Sequence, residues 1–266
     1  MTLPGILAHV SHDGRPRLAV RLTGDNPRVL LVHGATCTAA IWAPTLIALA
    51  DSGNHAAALD LRGHGFSDGK EYLQRWRIED YVSDVIDVLR EWKTLRIVVG
   101  HSMGGLVAQL AAEAVPLDRL VLVASSPTEG MRRNGFRMAR AHPWTFAVAA
   151  LRRSFGRLYR SPKVARALLF HRNTPERVVD DFVAAVQEES WIAGNQMNTL
   201  LPQPRKITCP VTVIAGENDF MVDRRASEAT ARDYSTSLLI FADCAHMVPC
   251  EADPAELTRA IVGHAA

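Results

Sequence analysis

Ile97-Val98-Val99-Gly100-His101-Ser102-Met103-Gly104-Gly105 is the stretch on which the reading of this chain turns. Apolar β-formers lead to a serine flanked at two residues' distance by glycines, and residues 106–114 continue as an Ala- and Leu-rich helical run. A strand that turns abruptly into a helix needs little bulk at the turn, and glycines at 100 and 104 allow the two segments to approach closely. Ser102 would then project its hydroxyl from the end of a sheet. The first amides of the helix, Met103 foremost, have no intrahelical partner and would face an oxyanion formed by attack of that hydroxyl. The pattern is the sequence form of a nucleophile elbow. Its plain alternative is a serine that caps a helix N-terminus.

The surrounding sequence alternates strands and helices. Residues 17–22 and 28–32 read as strands separated by the turn Gly24-Asp25-Asn26-Pro27, 39–50 as a helix and 55–59 as the next strand. Ile78, Val82, Val85, Ile86 and Leu89 recur at three- and four-residue spacing, the apolar stripe of a helix that leads into the strand at Ile97. A further buried strand is expected at 120–124. From residue 127 to 206 the alternation stops, prolines punctuate a helical and irregular segment, and no strand is expected. It resumes with strands at 211–215 and 237–241 and helices at 224–234 and 254–262. The expected fold class is α/β: a mostly parallel central sheet flanked by helices. Residues 1–126 and 207–266 form its core, and residues 127–206 are an inserted helical lid over the strand ends, where ligands bind in such sheets.

The 266 residues suffice for one large domain, and a formal charge of +2 with 22% charged residues implies no nucleic-acid partner. No apolar run is long enough to span a membrane, and the amino-terminal region, with Pro4, Gly5 and His9, does not read as a signal segment, so the expected address is the cytoplasm. Cys37, Cys209, Cys244 and Cys250 show neither a paired spacing nor a repeat, which argues against a disulfide framework or a zinc site.

A serine hydroxyl is a weak nucleophile at neutral pH and needs a base that a third group orients. Asp219 follows the expected strand at 211–215, and His246 follows the one at 237–241, giving the chain order Ser, Asp, His. That order, each member just beyond a strand, resembles the α/β-hydrolases, specifically their lid-bearing GHSMGG type. His33-Gly34-Ala35 after an apolar strand resembles the family's oxyanion loop, and Asp60-Leu61-Arg62-Gly63-His64-Gly65-Phe66-Ser67-Asp68 its DxRGHGxSD segment. The resemblance implies that Ser102 attacks, His246 moves the proton and Asp219 orients the imidazole, with the Ala35 and Met103 amides as the oxyanion hole. Asp219 could instead be a turn aspartate, with Asp223 or Glu129 as substitute acid. His33, His101 and His64 are expected to shape loops, and Asp60 and Arg62 to form a local pair. A serine rather than an aspartate at 102 argues against the epoxide-opening and halide-displacing relatives.

Between Met131 and Arg166 stand ten basic residues and no acidic one; residues 127–206 hold 14 basic against 6 acidic, leaving about −6 for the rest of the chain. Trp144, Phe146, Val148, Leu151, Phe155, Leu158 and Tyr159 interleave with them, an apolar face suited to roofing a pocket. The arginines suit plain solvation, attraction of an anionic substrate or an acidic carrier, or contact with a lipid surface. Further pocket candidates are His33, Trp42, His101, Met103, Trp191, Met197 and Met247.

The expected activity is cleavage of a carboxylic ester or lactone of a small-to-medium, partly apolar molecule through an acyl-enzyme, without cofactor or metal, by a monomer or homodimer. The same triad also serves thioester or C–C bond hydrolysis, acyl transfer including lactone formation, and perhydrolysis. A non-catalytic ligand receptor on this fold is the reading from a different class.

Overall fold

Strands buried on both faces must be apolar throughout, and the runs around residues 30, 58 and 98 are of that kind. In the computed structural model, which describes residues 4–12 and 14–263, they sit at the centre of one eight-stranded sheet. In chain order the elements are β1 (Ile6–Val10), β2 (Leu18–Leu22), β3 (Val29–Val32), α1 (Ala43–Asp51), β4 (Ala56–Asp60), α2 (Ile78–Glu91), β5 (Ile97–His101), α3 (Met103–Ala114) and β6 (Arg119–Val123). There follow α4 (Arg132–Ala141), α5 (Pro143–Arg152), α6 (Gly156–Tyr159), α7 (Pro162–Leu169), α8 (Glu176–Ala185) and α9 (Trp191–Gln196), with no strand among them. The sheet then resumes with β7 (Val211–Gly216), α10 (Arg224–Asp233), β8 (Leu238–Phe241), α11 (Val248–Glu251) and α12 (Pro254–Val262).

The strand order is β1-β2-β4-β3-β5-β6-β7-β8, parallel from β4 to β8 and antiparallel at the β1–β2 and β2–β4 pairings. Alternate residues of each strand face opposite sides. Leu30, Val32, Val98, Leu120 and Leu122 meet α2 and α3 on one face, and Val29, Leu31, Val99, Val121 and Val123 meet α1 and α12 on the other. The two strands that flank the turn at 24–27 are not partners of each other; β4 lies between them. Strand β1 has no counterpart in the sequence reading, because an edge strand with only Val10 buried lacks a clear alternation.

The expected Asp60–Arg62 pair does not form. Arg62 Nε donates to Asp84 Oδ1 at 2.8 Å, its amide donates to Asp84 Oδ2 at 2.9 Å, and its guanidinium also reaches Asp80 at 3.4 Å. The Asp60 carboxylate instead accepts the Ala39 amide at 2.7 Å and the Phe66 amide at 2.9 Å. The physical reason is competition: α2 brings carboxylates to Arg62, while two loops at the end of β4 bring unpaired amides to Asp60.

Two glycines fix where the first turn of α3 sits. A Cβ on Gly100 would stand 2.3 Å from the Gly104 carbonyl oxygen, and one on Gly104 would stand 2.3 Å from that of His33. Gly104→Ala is therefore expected to cost about 3 kcal/mol of stability in urea unfolding. Gly135 in α4 has no atom nearer than 4.0 Å to such a Cβ, and Gly135→Ala should gain up to about 1 kcal/mol in the same measurement.

Candidate active site

Ser102 joins β5 to α3 with φ 53° and ψ −118°, a conformation that costs a side-chain-bearing residue on the order of 1–3 kcal/mol. Its neighbours hold it there. The Ser102 amide donates to Val123 O at 3.1 Å, and its carbonyl accepts from the Gly105 and Ser126 amides at 2.9 and 3.0 Å. Its side chain makes no capping bond to α3, so the helix-cap alternative does not describe this serine. The hydroxyl faces His246 instead.

His246 lies in the loop after β8 and Asp219 in the loop after β7. His246 Nε2 stands 3.0 Å from Ser102 Oγ, and Nδ1 stands 2.9 Å from Asp219 Oδ2. The carboxylate can only accept, so the proton of the neutral ring lies on Nδ1 and Nε2 is free to accept from the serine. The second oxygen of Asp219 accepts the Met221 and Val222 amides at 2.8 and 2.9 Å. The two loops are laced together by Glu217 N to Phe241 O and Asn218 N to Cys244 O, both 3.0 Å. Glu251 anchors the His246 loop by accepting the Ala245 amide at 2.8 Å and the His171 amide at 2.6 Å. Of the alternative acids, Asp223 caps α10 through Ala226 N and binds Arg133, and Glu129 pairs with Arg133 at 3.7 Å. Neither contacts His246.

The Ala35 and Met103 amides have no hydrogen-bond partner among the described residues, and Ala35 lines the cavity that Ser102 enters. That cavity measures about 330 Å³ and is mostly apolar. His101, Trp191, Met197 and Met247 line it, as do Phe146, Phe155, Leu158 and Tyr159 of the segment between β6 and β7. Four expected lining residues are elsewhere. Met103 is buried in the core. Trp144 is 79% exposed on the outer face of α5, as is Leu151 at its end. Trp42 is buried in the core against the edge of His101. His33 is fully buried, donating from Nδ1 to Gly34 O at 2.8 Å and accepting the Leu61 amide on Nε2 at 3.1 Å. The helical pattern that suggested one apolar face could not say which of two tryptophans, 144 or 191, turns inward. Trp191 lines the cavity and stacks on Phe155 at 4.7 Å, whereas Trp144 is exposed.

His101 donates from Nε2 to the His246 carbonyl at 2.9 Å. Burial, with His246 nearby, pushes its pKa down to about 3; burial, with His64 nearby, does the same for His33. Both rings are neutral and structural.

Glu189 escaped the sequence reading. It is fully buried and accepts from Tyr81 Oη at 2.7 Å, from the Ser190 amide at 2.7 Å and from the Thr36 amide at 3.3 Å, with His64 Nε2 3.3 Å away. No local pattern marks it, since its neighbour Glu188 serves a different role on Ser154 and the Gly156 amide. No group of three or more His, Cys, Asp or Glu side chains among the described residues is arranged to hold a metal ion, and no helix among them is long and apolar enough to cross a membrane.

A family model described as the alpha/beta hydrolase family matches residues 29–260, and the chain belongs to that family. It is 28% identical over 229 residues to a 2-(acetamidomethylene)succinate hydrolase of Mesorhizobium japonicum, spanning 82% of this chain and 81% of that one. It is also 28% identical over 260 residues to a pimeloyl-[acyl-carrier protein] methyl ester esterase of Nitrosospira multiformis, spanning 88% and 93%. A thermophilic esterase from Thermogutta terrifontis superposes with a TM-score of 0.71 over 97% of both chains at 23% identity, a likeness of fold.

The two neutral histidines set an acid limit to stability. An imidazole takes up a proton on unfolding at any pH between the folded value of about 3 and the ordinary 6.5, so its contribution is lost as pH falls through that window, by about 1.4 kcal/mol per pH unit for each ring. Asp84, pushed up to about 6 by burial despite Arg62, acts in the opposite sense over part of the range. The measurement is therefore a difference: from pH 6.5 to 4, unfolding free energy should fall more steeply for wild type than for His101→Phe, by about 1.4 kcal/mol per pH unit.

Proposed function

We propose that this chain is a serine hydrolase that cleaves a carboxylic ester or lactone of a partly apolar, small-to-medium substrate. The observation that carries the reading is the hydrogen-bonded line Asp219–His246–Ser102 opening onto an apolar cavity. The reaction follows from the donors and acceptors. Ser102 gives its proton to His246 Nε2 as its oxygen bonds to the substrate's carbonyl carbon, and the carbonyl electrons move onto oxygen. The unpartnered Ala35 and Met103 amides stabilise that oxyanion, each such donor being worth on the order of 3 kcal/mol in the transition state. The imidazolium is held by Asp219 until its proton passes to the departing alkoxide. Water then attacks the acyl-serine by the same route, with His246 again as base.

Residues 127–206 act as a lid over the cavity, a role supported by the apolar side chains they send into it, Phe146, Phe155, Leu158, Tyr159 and Trp191 among them. All four cysteines are free, which supports a reducing compartment such as the cytoplasm.

Some basic residues of the lid are bound in the structure, and others have no partner among the described residues. Arg133 and Arg166 are spent on carboxylates and carbonyls, and Arg137 lies over the Phe220 ring at 4.8 Å. Arg152, Arg153 and Arg157 make no such bond among the described residues and line a groove that shares Trp191 with the catalytic cavity. Glu188, also in the groove, is occupied by Ser154 and the Gly156 amide. We take this groove as the seat for an anionic end of the substrate or an acidic carrier. The names of the two relatives are consistent with that: one acts on a succinate, the other on a methyl ester attached to an acyl carrier protein.

Ser102→Ala should reduce turnover of p-nitrophenyl butyrate to background, and a fluorophosphonate probe should label wild type but not this variant; substantial residual turnover would place the nucleophile elsewhere. Asp219→Asn should lower kcat about 10⁴-fold with the fold intact, as judged by circular dichroism. A panel of esters, lactones and thioesters run against Ser102→Ala as blank identifies the preferred bond. If the groove holds an anion, the double charge reversal Arg152→Glu with Arg153→Glu should raise KM for anionic esters about tenfold more than for neutral ones; equal effects would dismiss the groove.

A further inference from the structure

Thr36 follows Ala35, and its backbone has φ 61°, which a β-branched residue seldom adopts without external support. The support comes from the stretch between α8 and α9. Gln187 N donates to Thr36 O at 2.9 Å, and Thr36 N donates to Glu189 Oε2 at 3.3 Å, so the residue is gripped at both its carbonyl and its amide. Glu189 is in turn located by groups outside its own segment: Tyr81 of α2, His64 in the turn after β4, and Gln74 Nε2, which donates to the Glu189 carbonyl at 3.1 Å. The Tyr81 hydroxyl and the Ser190 and Thr36 amides all donate to the side chain, and His64 turns Nε2 toward it. An acceptor-only carboxylate satisfies all of them, whereas an amide in its place would turn an NH2 against two donors.

The electrostatics are consistent with that arrangement. Burial opposes ionisation of Glu189, but His64 beside it and the hydrogen bonds it accepts outweigh burial and hold the carboxyl below its ordinary range. His64, buried as well, is correspondingly raised by Glu189.

We propose that Glu189 is a positioning residue for the oxyanion site, coupling the seating of residues 127–206 over the cavity to the aim of the Ala35 amide. With that segment down, its carboxylate pins Thr36 and thereby the peptide plane next to Ala35. With the segment lifted, Thr36 loses both grips and can relax from its left-handed backbone. The site is then competent for chemistry only when covered. This rests on the reading of Ala35 as an oxyanion donor given above.

The test compares Glu189→Gln and Glu189→Asp with wild type, with Ser102→Ala as the null and Val85→Ala, a truncation in the buried face of α2, as a control for lost stability. Kinetics on p-nitrophenyl butyrate are read below each variant's melting onset. For Glu189→Gln, kcat should fall about 100-fold while KM changes less than about threefold, as for weakening of one oxyanion donor. A boronic acid that adds to the serine should bind more weakly by a similar factor. Glu189→Asp, which keeps the charge but withdraws the acceptor, should be intermediate, and it carries the same readouts if the Gln variant fails to fold. Val85→Ala should lose thermal stability and keep kcat. A folded Glu189 variant with kcat within about threefold of wild type overturns the proposal, as does an equal loss of kcat in Val85→Ala. Turnover by Ser102→Ala would instead overturn the serine reading itself, so the two failures are distinguishable.

Discussion

At Ser102 the chain passes from β5 into α3 through a single residue with positive φ, and the rest of the site is arranged around that fixed point. The conformation persists because every route to relaxation is closed. Its amide and carbonyl are bonded to the ends of β6 and α3, and Gly100 and Gly104 bring backbone against backbone where no Cβ would fit. One consequence is the exposure of the hydroxyl toward the strand ends. Another is that the first amide of α3 is left without a partner beside it. The parallel order of β3, β5, β6, β7 and β8 then delivers the loops bearing Ala35, Asp219 and His246 to the same edge.

Around this point the protein handles buried polar groups in two ways. Where a charge is kept, it is surrounded: Glu189 by three donors and His64, Glu251 by two amides and the Thr174 hydroxyl, Asp84 by Arg62. Where it cannot be surrounded, the group is neutral, as His33 and His101 are. Leaving a buried charge without such partners would cost several kcal/mol. The carboxylates that survive burial therefore mark places where separate segments must be tied together. Glu251 ties the His246 loop to the residues after α7, and Glu189 ties the segment before α9 to the loop after β3.

The segment from β6 to β7 carries opposite characters on its two sides. Inward it offers Phe146, Phe155, Leu158 and Tyr159 to the cavity; outward it exposes Phe136, Trp144 and Leu151 among arginines. Its charge is not uniform in role either, because several of its arginines are consumed by structure and three of them border one groove. A count of basic residues in the sequence measures the total and is silent on that division.

Part of the molecule could be read from local pattern alone. The strand at 97–101, the helices at 78–91 and 254–262, the turn at Ser102, and the sites of Asp219 and His246 just beyond strands all follow from periodicity, glycine placement and order along the chain. Tertiary structure decided the partners. Arg62 took Asp84 rather than Asp60, Trp191 rather than Trp144 met the cavity, His33 and Trp42 went into the core, and Glu189 reached across to Thr36. The reason is physical: backbone conformation is set largely by neighbours within a few residues. The partner of a buried side chain depends instead on which distant segment arrives with an unsatisfied donor or an unfilled face, and spacing along the chain does not encode that.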